Sequence, residues 1–438
     1  MLDAGSQESM KHDLKPIRSQ SEEHKKLFSL INRVDVASLM MAHDKQVSGK
    51  ATGIDRVTKE EYGVNLIPNL KDLIGRMKAF KYIPQPVRRV YIPKTNGKLR
   101  PLGIPAYEDR LVQSVMADIL NDVYEPRFLD CSYGFRPNRS AHDVVRFINE
   151  KVTHGNFKWV VEADIKGFFD NVDHKTLMMF LANDISDPNF LRYVARFLRA
   201  GVMDGTELLD SDKGTPQGGL ISPVLANVYL HYVLDLWVEK RVKKHVSGSV
   251  AYVRYADDFL FLVEDERDAH RILRSMIKRL EKFGLEVAAE KTRILPFDRR
   301  RGTKETFDFL GFTFFIARAR TGAFNRLGVR TNAKKLKAKR EAVRQWLKGR
   351  MNKPLHETLR TLNRKLQGHC NYYGVNGNFK FVAKFYRYAL FRTYWMLKRR
   401  SQRSKLTWEK FVQWWGATIT PPRICVQIWG YKVDAKLV

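Results

Sequence analysis

The stretch VAYVRYADDFLFLV, residues 250–263, decides how the rest of the chain is read. Two apolar runs, Val250 to Val253 and Phe259 to Val263, flank the tetrapeptide Tyr255-Ala256-Asp257-Asp258. This pattern predicts a β-hairpin with adjacent carboxylates at its tip. Paired carboxylates on a rigid hairpin can hold divalent metal ions against a triphosphate, whereas Asp-Asp is also ordinary turn chemistry. Alone, such a tetrapeptide, with any residue in its second place, turns up by chance in roughly a few per cent of chains this long. The surrounding sequence has to separate the two readings.

The chain has 438 residues, 44% hydrophobic and 12% aromatic, enough for two or three domains with cores of their own. Its net charge of +31 and pI near 10.0 call for a polyanionic partner. The surplus is concentrated. Residues 318–410 carry 26 Lys/Arg against 3 Glu and no Asp, interleaved with Phe379, Phe381, Phe385, Tyr386, Tyr388, Phe391, Tyr394 and Trp395. Cations hold phosphates and aromatic faces stack on unpaired bases, so this stretch points to nucleic acid. An anionic membrane surface has no amphipathic helix with a clean apolar face to support it. No apolar run is long enough to span a bilayer, and residues 1–20 lack the apolar core of a secretory signal. Cys131, Cys370 and Cys425 are odd in number and far apart, without a CxxC pair. They read as small buried residues in a reducing, cytoplasmic setting.

Along the chain, residues 1 to about 30 are polar, and a mixed helical pattern follows to about 80, broken at Ala51-Thr52-Gly53-Ile54-Asp55. Val87 to Pro93 and Leu99 to Ile104 flank Asn96-Gly97, a strong hairpin signal. Helix is expected from Asp109 to about Tyr124, and a buried strand from Trp159 to Ile165 with Asp164 at its end. Gly214-Thr215-Pro216-Gln217-Gly218-Gly219 is a loop that leads into a helix at Ser222-Pro223, running to about Lys244. A helix from Arg267 to about Phe283 follows the acidic hairpin. Leu285 to Leu295 and Phe307 to Phe315 suggest a last β pair, and everything after Arg320 reads as helical and basic. Trp408, Trp414 and Trp415 are assigned to the core.

Asp164 and Asp257 lie about ninety residues apart. If their strands are neighbours in one sheet, the carboxylates converge and two metals roughly 3.5–4 Å apart could bridge them. Ile165 could add a backbone carbonyl, since an oxygen-rich site suits Mg²⁺. Asp258 would be a weaker ligand or a support. Lys94 and Arg100 flank the Asn96-Gly97 turn and could close on a triphosphate, although a solubilised surface hairpin would read the same. Gln217 lies in a loop where backbone can approach a ligand closely. Lys291 could donate a proton to departing pyrophosphate, or be a surface lysine.

Seven blocks occur in order: IPKTNGKLRPLGIP (92–105), YGFRPNRS (133–140), DIKGFFDNVDH (164–174), GTPQGGLISPVLANVYL (214–230), YADD (255–258), EKT (290–292) and FLGF (309–312). Together they resemble a group II intron reverse transcriptase/maturase. LQGHCNYY (366–373) and FKFVAKFYRYALFRTYWMLKRR (379–400) are similar to that family's thumb/maturase region. The resemblance covers roughly residues 50 to 400. It implies an α+β right-hand polymerase, with fingers and palm of antiparallel sheet and helices at 81–320. An N-terminal extension would occupy 1–80, an α-helical thumb/maturase domain 321–405, and a short tail, a reduced DNA-binding segment or a packing cap, 406–438.

The resemblance also implies residue roles. Asp164, Asp257 and Asp258 would be the catalytic triad and, with Ile165, the metal ligands. Phe169 would be the bulky residue that excludes a 2′ hydroxyl. Lys94, Arg100, Gln217 and Tyr255 would contact the nucleotide, Lys291 would assist catalysis, and Lys380, Lys384 and Arg387 would bind RNA. The expected cofactors are two Mg²⁺ ions, with Mn²⁺ able to substitute. The expected partners are group II intron RNA, an RNA template with a DNA primer, dNTPs and target DNA, in a bacterial cytoplasm near the nucleoid and without a membrane. Many members continue into an HNH endonuclease, whereas the forty or so residues after Arg400 hold no paired cysteines or His-Asn-His cluster. An RNA-binding splicing cofactor with an idle polymerase site, and a reverse transcriptase domesticated for repair or defence, are the rival readings.

Overall fold

The computed structural model describes residues 27–428 apart from 94–98, 206, 210–213, 215–217, 320, 321 and 323. In chain order the helices and strands are α1 (Val36–Lys45), α2 (Lys59–Gly63), α3 (Leu66–Lys78), β1 (Val87–Pro93), β2 (Leu99–Ile104), α4 (Tyr107–Tyr124), α5 (Ala141–His154) and β3 (Trp159–Asp164). Then come α6 (Phe168–Asn171), α7 (His174–Asp184), α8 (Pro188–Leu198), β4 (Val202–Asp204), β5 (Glu207–Leu209), α9 (Ser222–Leu230), α10 (Lys243–His245), β6 (Val250–Tyr255), β7 (Asp258–Val263) and α11 (Glu266–Lys282). The remainder is β8 (Arg293–Pro296), β9 (Thr306–Phe309), β10 (Phe312–Arg318), β11 (Asn325–Thr331), α12 (Ala333–Lys348), α13 (Leu355–Tyr373), α14 (Phe379–Lys398) and α15 (Trp408–Trp415). The protein is thus a mixed α+β chain. Helix starts follow side-chain chemistry: Asp35, Ser140 and Asn332 each accept a backbone N–H of the first turn of α1, α5 and α12.

The chain forms two compact units. One takes in Met1–Asn138, Ile165–Val242 and Met276–Val287. Its core is helical: α4 packs on α9, and α7 on α8 and α9, burying Leu111, Val115, Ile119, Leu177, Leu181, Leu225 and Val228. Its sheet has the order β2-β1-β4-β5, with β1 antiparallel to β2 and parallel to β4. The approach to β1 is pinned by buried Asp109, whose carboxylate accepts from the Tyr82 hydroxyl at 2.5 Å and from Gln85 N at 2.9 Å. Burial pushes this carboxyl up to about 7.

The other unit takes in Arg139–Asp164, Lys243–Ser275 and Ala288–Val438. Its main sheet has the order β6-β7-β3-β8, every neighbour antiparallel. Phe259 to Val263 of β7 are all buried, as a central strand covered on both faces requires. A second sheet runs β11-β10-β9. Helices α12 to α15 enclose a separate core of Leu336, Val343, Leu347, Leu362, Leu366, Phe385, Ala389 and Phe411.

Five expectations change. Of the three cysteines expected to be buried, only Cys370 is, while Cys131 is half-buried and Cys425 exposed. Phe307 to Phe315 is not one strand paired with Leu285 to Leu295. It is the β9–β10 hairpin, folded at Leu310-Gly311 where both residues have positive φ. Only Arg293–Pro296 of the earlier run is a strand, and it pairs with β3. Asn325–Thr331, expected as helix, is strand β11 because its alternating Leu327 and Val329 bury against β10. The tryptophans are not all core. Phe411 centres the buried stripe of α15, and Trp408 and Trp414, about 60° to either side on a helix, are 38% and 56% exposed.

Candidate active site

The acidic hairpin has a two-residue turn. Tyr255 pairs with Asp258 across it, leaving Ala256 and Asp257 between the strands. Ala256 has φ 58°, a left-handed value that costs a residue with a Cβ roughly 1–2 kcal/mol. Arg254, fully buried, donates from Nη1 to the Ala256 carbonyl at 3.0 Å. Asp258 opens β7, and on its other side it is the register partner of Asp164, the last residue of β3. The two carboxylates therefore lie on adjacent strands, with Asp257 in the turn beside them.

Lys291 stands in the 3₁₀ turn Ala289–Lys291, just before β8. Its ammonium donates to Asp164 Oδ2, and this bond raises the lysine's pKa against the opposing effect of burial. The Asp164 carbonyl accepts from Ala288 N at 2.8 Å, which ties the turn to the strand end. The Asp258 carboxyl is pushed up to about 6, first by desolvation against the surrounding protein and then by repulsion from Asp257 and Asp164. Lys291 and Lys335 pull the other way. Solvent still reaches Asp258, so the repulsion is the part a cation could relieve.

Among the described residues, no three Asp, Glu, His or Cys side chains converge closely enough to hold a metal ion as they stand. The donor set nonetheless suits a hard cation: neighbouring carboxylates that repel one another, with the Lys291 ammonium bonded to Asp164. The lysine bond occupies one of the two Asp164 carboxylate oxygens, Oδ2.

Helix α13 contributes a feature the sequence reading missed. The Tyr372 hydroxyl donates to Leu310 O at 2.8 Å, and its ring stacks on Phe312 with centroids 5.7 Å apart. Burial raises the Tyr372 pKa, followed by the influence of Tyr373, Tyr255 and Asp258. Gly311 must be glycine in this setting: with φ 77°, a Cβ there would lie 2.8 Å from the Tyr373 hydroxyl. The FLGF turn is thus fixed to α13 within the acidic unit.

The other unit holds most of the expected nucleotide contacts. Phe169 is half-buried in α6, edge-on to buried Phe168. Gly214 packs on this segment: its N donates to Val172 O at 2.8 Å, and a Cβ at φ 89° would meet Phe169 O at 2.8 Å. His174 Nε2 donates to Gly214 O at 2.5 Å, and Leu220 N donates to Gln113 Oε1 at 2.9 Å. The loop is therefore held at both ends, by His174 and Gln113, neither of which the sequence pattern singled out. Gln217 itself, like Lys94, lies outside the described residues. Arg100 is exposed on β2 opposite Ile92, and Ile165 is buried.

Lys380, Lys384 and Arg387 are all exposed along α14. Cations elsewhere in the helical region lie over aromatic rings: Arg340 is 5.2 Å from Tyr388, and Lys365 is 5.2 Å from Trp346.

Comparison with known proteins identifies the family. The reverse transcriptase (RNA-dependent DNA polymerase) family signature matches residues 92–314. The group II intron-encoded protein LtrA of Lactococcus lactis subsp. cremoris is 31% identical over 424 residues, covering 78% of this chain and 69% of that protein. Protein YkfC of Escherichia coli (strain K12) is 33% identical over 300 residues, 62% of this chain and 77% of its own length. The putative COX1/OXI3 intron 1 protein of Saccharomyces cerevisiae is 28% identical over 339 residues, 66% of this chain and 39% of that protein. The chain belongs to the reverse transcriptase family and is an RNA-directed DNA polymerase of its group II intron reverse transcriptase/maturase branch.

Proposed function

We propose that this chain extends a DNA primer along an RNA template through a two-metal site formed by Asp164, Asp257 and Asp258, with the Ile165 carbonyl as a further ligand. The observation that carries this reading is the register pairing of Asp164 with Asp258 on a buried sheet, with Asp257 in the adjoining turn. Mg²⁺ is the expected ion, with Mn²⁺ able to substitute. When bound, such ions would activate the primer hydroxyl and stabilise the leaving phosphate oxygens. The protein's part is to hold three repelling carboxylates where a cation is favoured. Lys291, an ammonium already bonded to Asp164, has the proton that a departing pyrophosphate needs.

In the same reading Phe169 excludes a 2′ hydroxyl, Lys94 and Arg100 neutralise the triphosphate, and Gln217 and Tyr255 line the nucleotide pocket. The right-hand division follows the sequence: extension at 1–80, fingers and palm at 81–320, helical thumb/maturase region at 321–405 and a short tail at 406–438. The exposed cations Lys380, Lys384 and Arg387 support binding of intron RNA by the thumb, which would assist splicing, with target DNA as a further partner. Among the described residues no helix is long and apolar enough to cross a membrane, and action in a bacterial cytoplasm at the nucleoid is consistent with that.

The test is primer extension on a homopolymer RNA template with a DNA primer and labelled dTTP. Incorporation in Mg²⁺ is expected. No incorporation in either Mg²⁺ or Mn²⁺ would leave only an RNA-binding splicing cofactor.

A further inference from the structure

A guanidinium sealed from solvent inside an apolar hairpin needs a physical reason. Arg254 is 0% exposed in β6, between Val253 and Tyr255 and opposite Phe259 in the register. Burying a charge there is unfavourable compared with an apolar side chain of similar volume. One of the bonds of Arg254 is to the turn itself: it reaches past its neighbour and donates from Nη1 to the carbonyl of Ala256. Ala256 is the one residue of the Tyr255–Asp258 segment held at positive φ, and it carries a Cβ. The next two residues are the turn carboxylates.

We infer that Arg254 is a positioning residue for nucleotidyl transfer. Its bond to the Ala256 carbonyl holds the turn in its left-handed form and so fixes the directions in which Asp257 and Asp258 project. Without that bond, Ala256 relaxes toward negative φ. The peptide plane between Ala256 and Asp257 then rotates, and the Asp257 carboxylate swings away while the strands on either side stay paired. This rests on the reading of Asp257 and Asp258 as catalytic carboxylates. It differs from a packing role, which would demand only the volume of the side chain.

The test is a double-mutant cycle in the full chain: R254M, which keeps length and removes the donors, A256G, which adopts positive φ unaided, and both together. Single-turnover primer extension, KM for dTTP, primer–template affinity and melting temperature are measured for each. We expect R254M to keep a cooperative melt and to lower the extension rate by ~100-fold, the scale of a misplacement of about 1 Å. Affinity and KM should stay within about threefold. A256G should return at least ~10-fold of the R254M loss, a coupling that a packing role does not produce. An R254M rate within about threefold of the parent, or a folded double variant no faster than R254M, overturns the inference. If R254M does not fold, the same cycle is run with R254K, and absence of coupling there overturns it equally. D257A is run alongside. Normal extension by D257A would mean that the carboxylate reading has failed, a result distinct from the failure of Arg254's role.

Discussion

The two four-stranded sheets of this chain are built from opposite materials. In β6-β7-β3-β8, the central β7 is apolar and buried from Phe259 to Val263, and β3 beside it buries Val160, Val161 and Ala163. In β2-β1-β4-β5, Tyr91 and Ile92 are 46% exposed and Leu99 is 55% exposed, and Arg100 is exposed as well. Ligands to a shared metal tolerate displacements of only about 0.5 Å, so they belong on a sheet whose every strand is pinned by a core. Groups that grip a flexible polyphosphate can sit on a thin exposed ribbon. On the function proposed above, the contrast is one between a mount and a grip.

The hardest blow to that contrast is to the mount. Asp257→Ala is expected to lower primer extension by at least ~1,000-fold, with RNA affinity changed less than about twofold. Near-normal extension would mean the buried sheet does not carry the chemistry. On the exposed ribbon, Arg100→Ala should instead raise KM for dNTP by ~10-fold with a smaller change in kcat. A loss confined to kcat would make the ribbon part of the mount. Away from both sheets, replacing Lys380, Lys384 and Arg387 by Ala should flatten the salt dependence of RNA affinity by about 2 in log–log slope. An unchanged slope would show that this face of α14 does not meet phosphate.

The smallest effect is on stability. His369 of α13 is 1% exposed, and neither ring nitrogen has a hydrogen-bond partner. Burial, reinforced by Lys339, depresses its pKa to about 3. The folded pKa lies below the unfolded one, so the stability associated with neutral His369 is fully present above about pH 6.5 and is lost as pH falls toward 3. His369→Leu should remove on the order of 1–2 kcal/mol of acid sensitivity between pH 7 and pH 5, read from urea midpoints at the two pH values. Equal sensitivity in both proteins would show that His369 does not set the acid lability.

What could be read from the sequence depended on whether the deciding interactions were local. The acidic hairpin was legible because an apolar run, a short turn and a second apolar run are contiguous. The pairing of β3 with β7 could be stated only conditionally, since a spacing of ninety residues says nothing about adjacency. Strand β11 was hidden because its cations, Arg326 and Arg330, dominate the composition, while the alternating Leu327 and Val329 that bury are only two residues. The β9–β10 hairpin was missed for a related reason. Leu310-Gly311 is a weak turn signal, and Gly311 becomes obligatory only when the Tyr373 hydroxyl, sixty residues away, fills the space of its Cβ. Arg254 was overlooked because an arginine among apolar residues reads as a solvent-facing position, and only the fold reveals that it points inward.

The division of the chain into segments has a consequence for synthesis. The acidic unit gathers Arg139–Asp164, Lys243–Ser275 and the sequence from Ala288 onward. A nascent chain that has just delivered Asp257 and Asp258 to the ribosome exit still lacks β8, which completes the sheet beside β3, and the helices from Ala333 onward. Strand β3 must wait for β8, a partner of high sequence separation, which slows closure and leaves a sticky intermediate. Truncations within α12 to α14 should therefore yield aggregated protein rather than a smaller working polymerase, and production should respond more to slowed translation or chaperones than to surface substitutions.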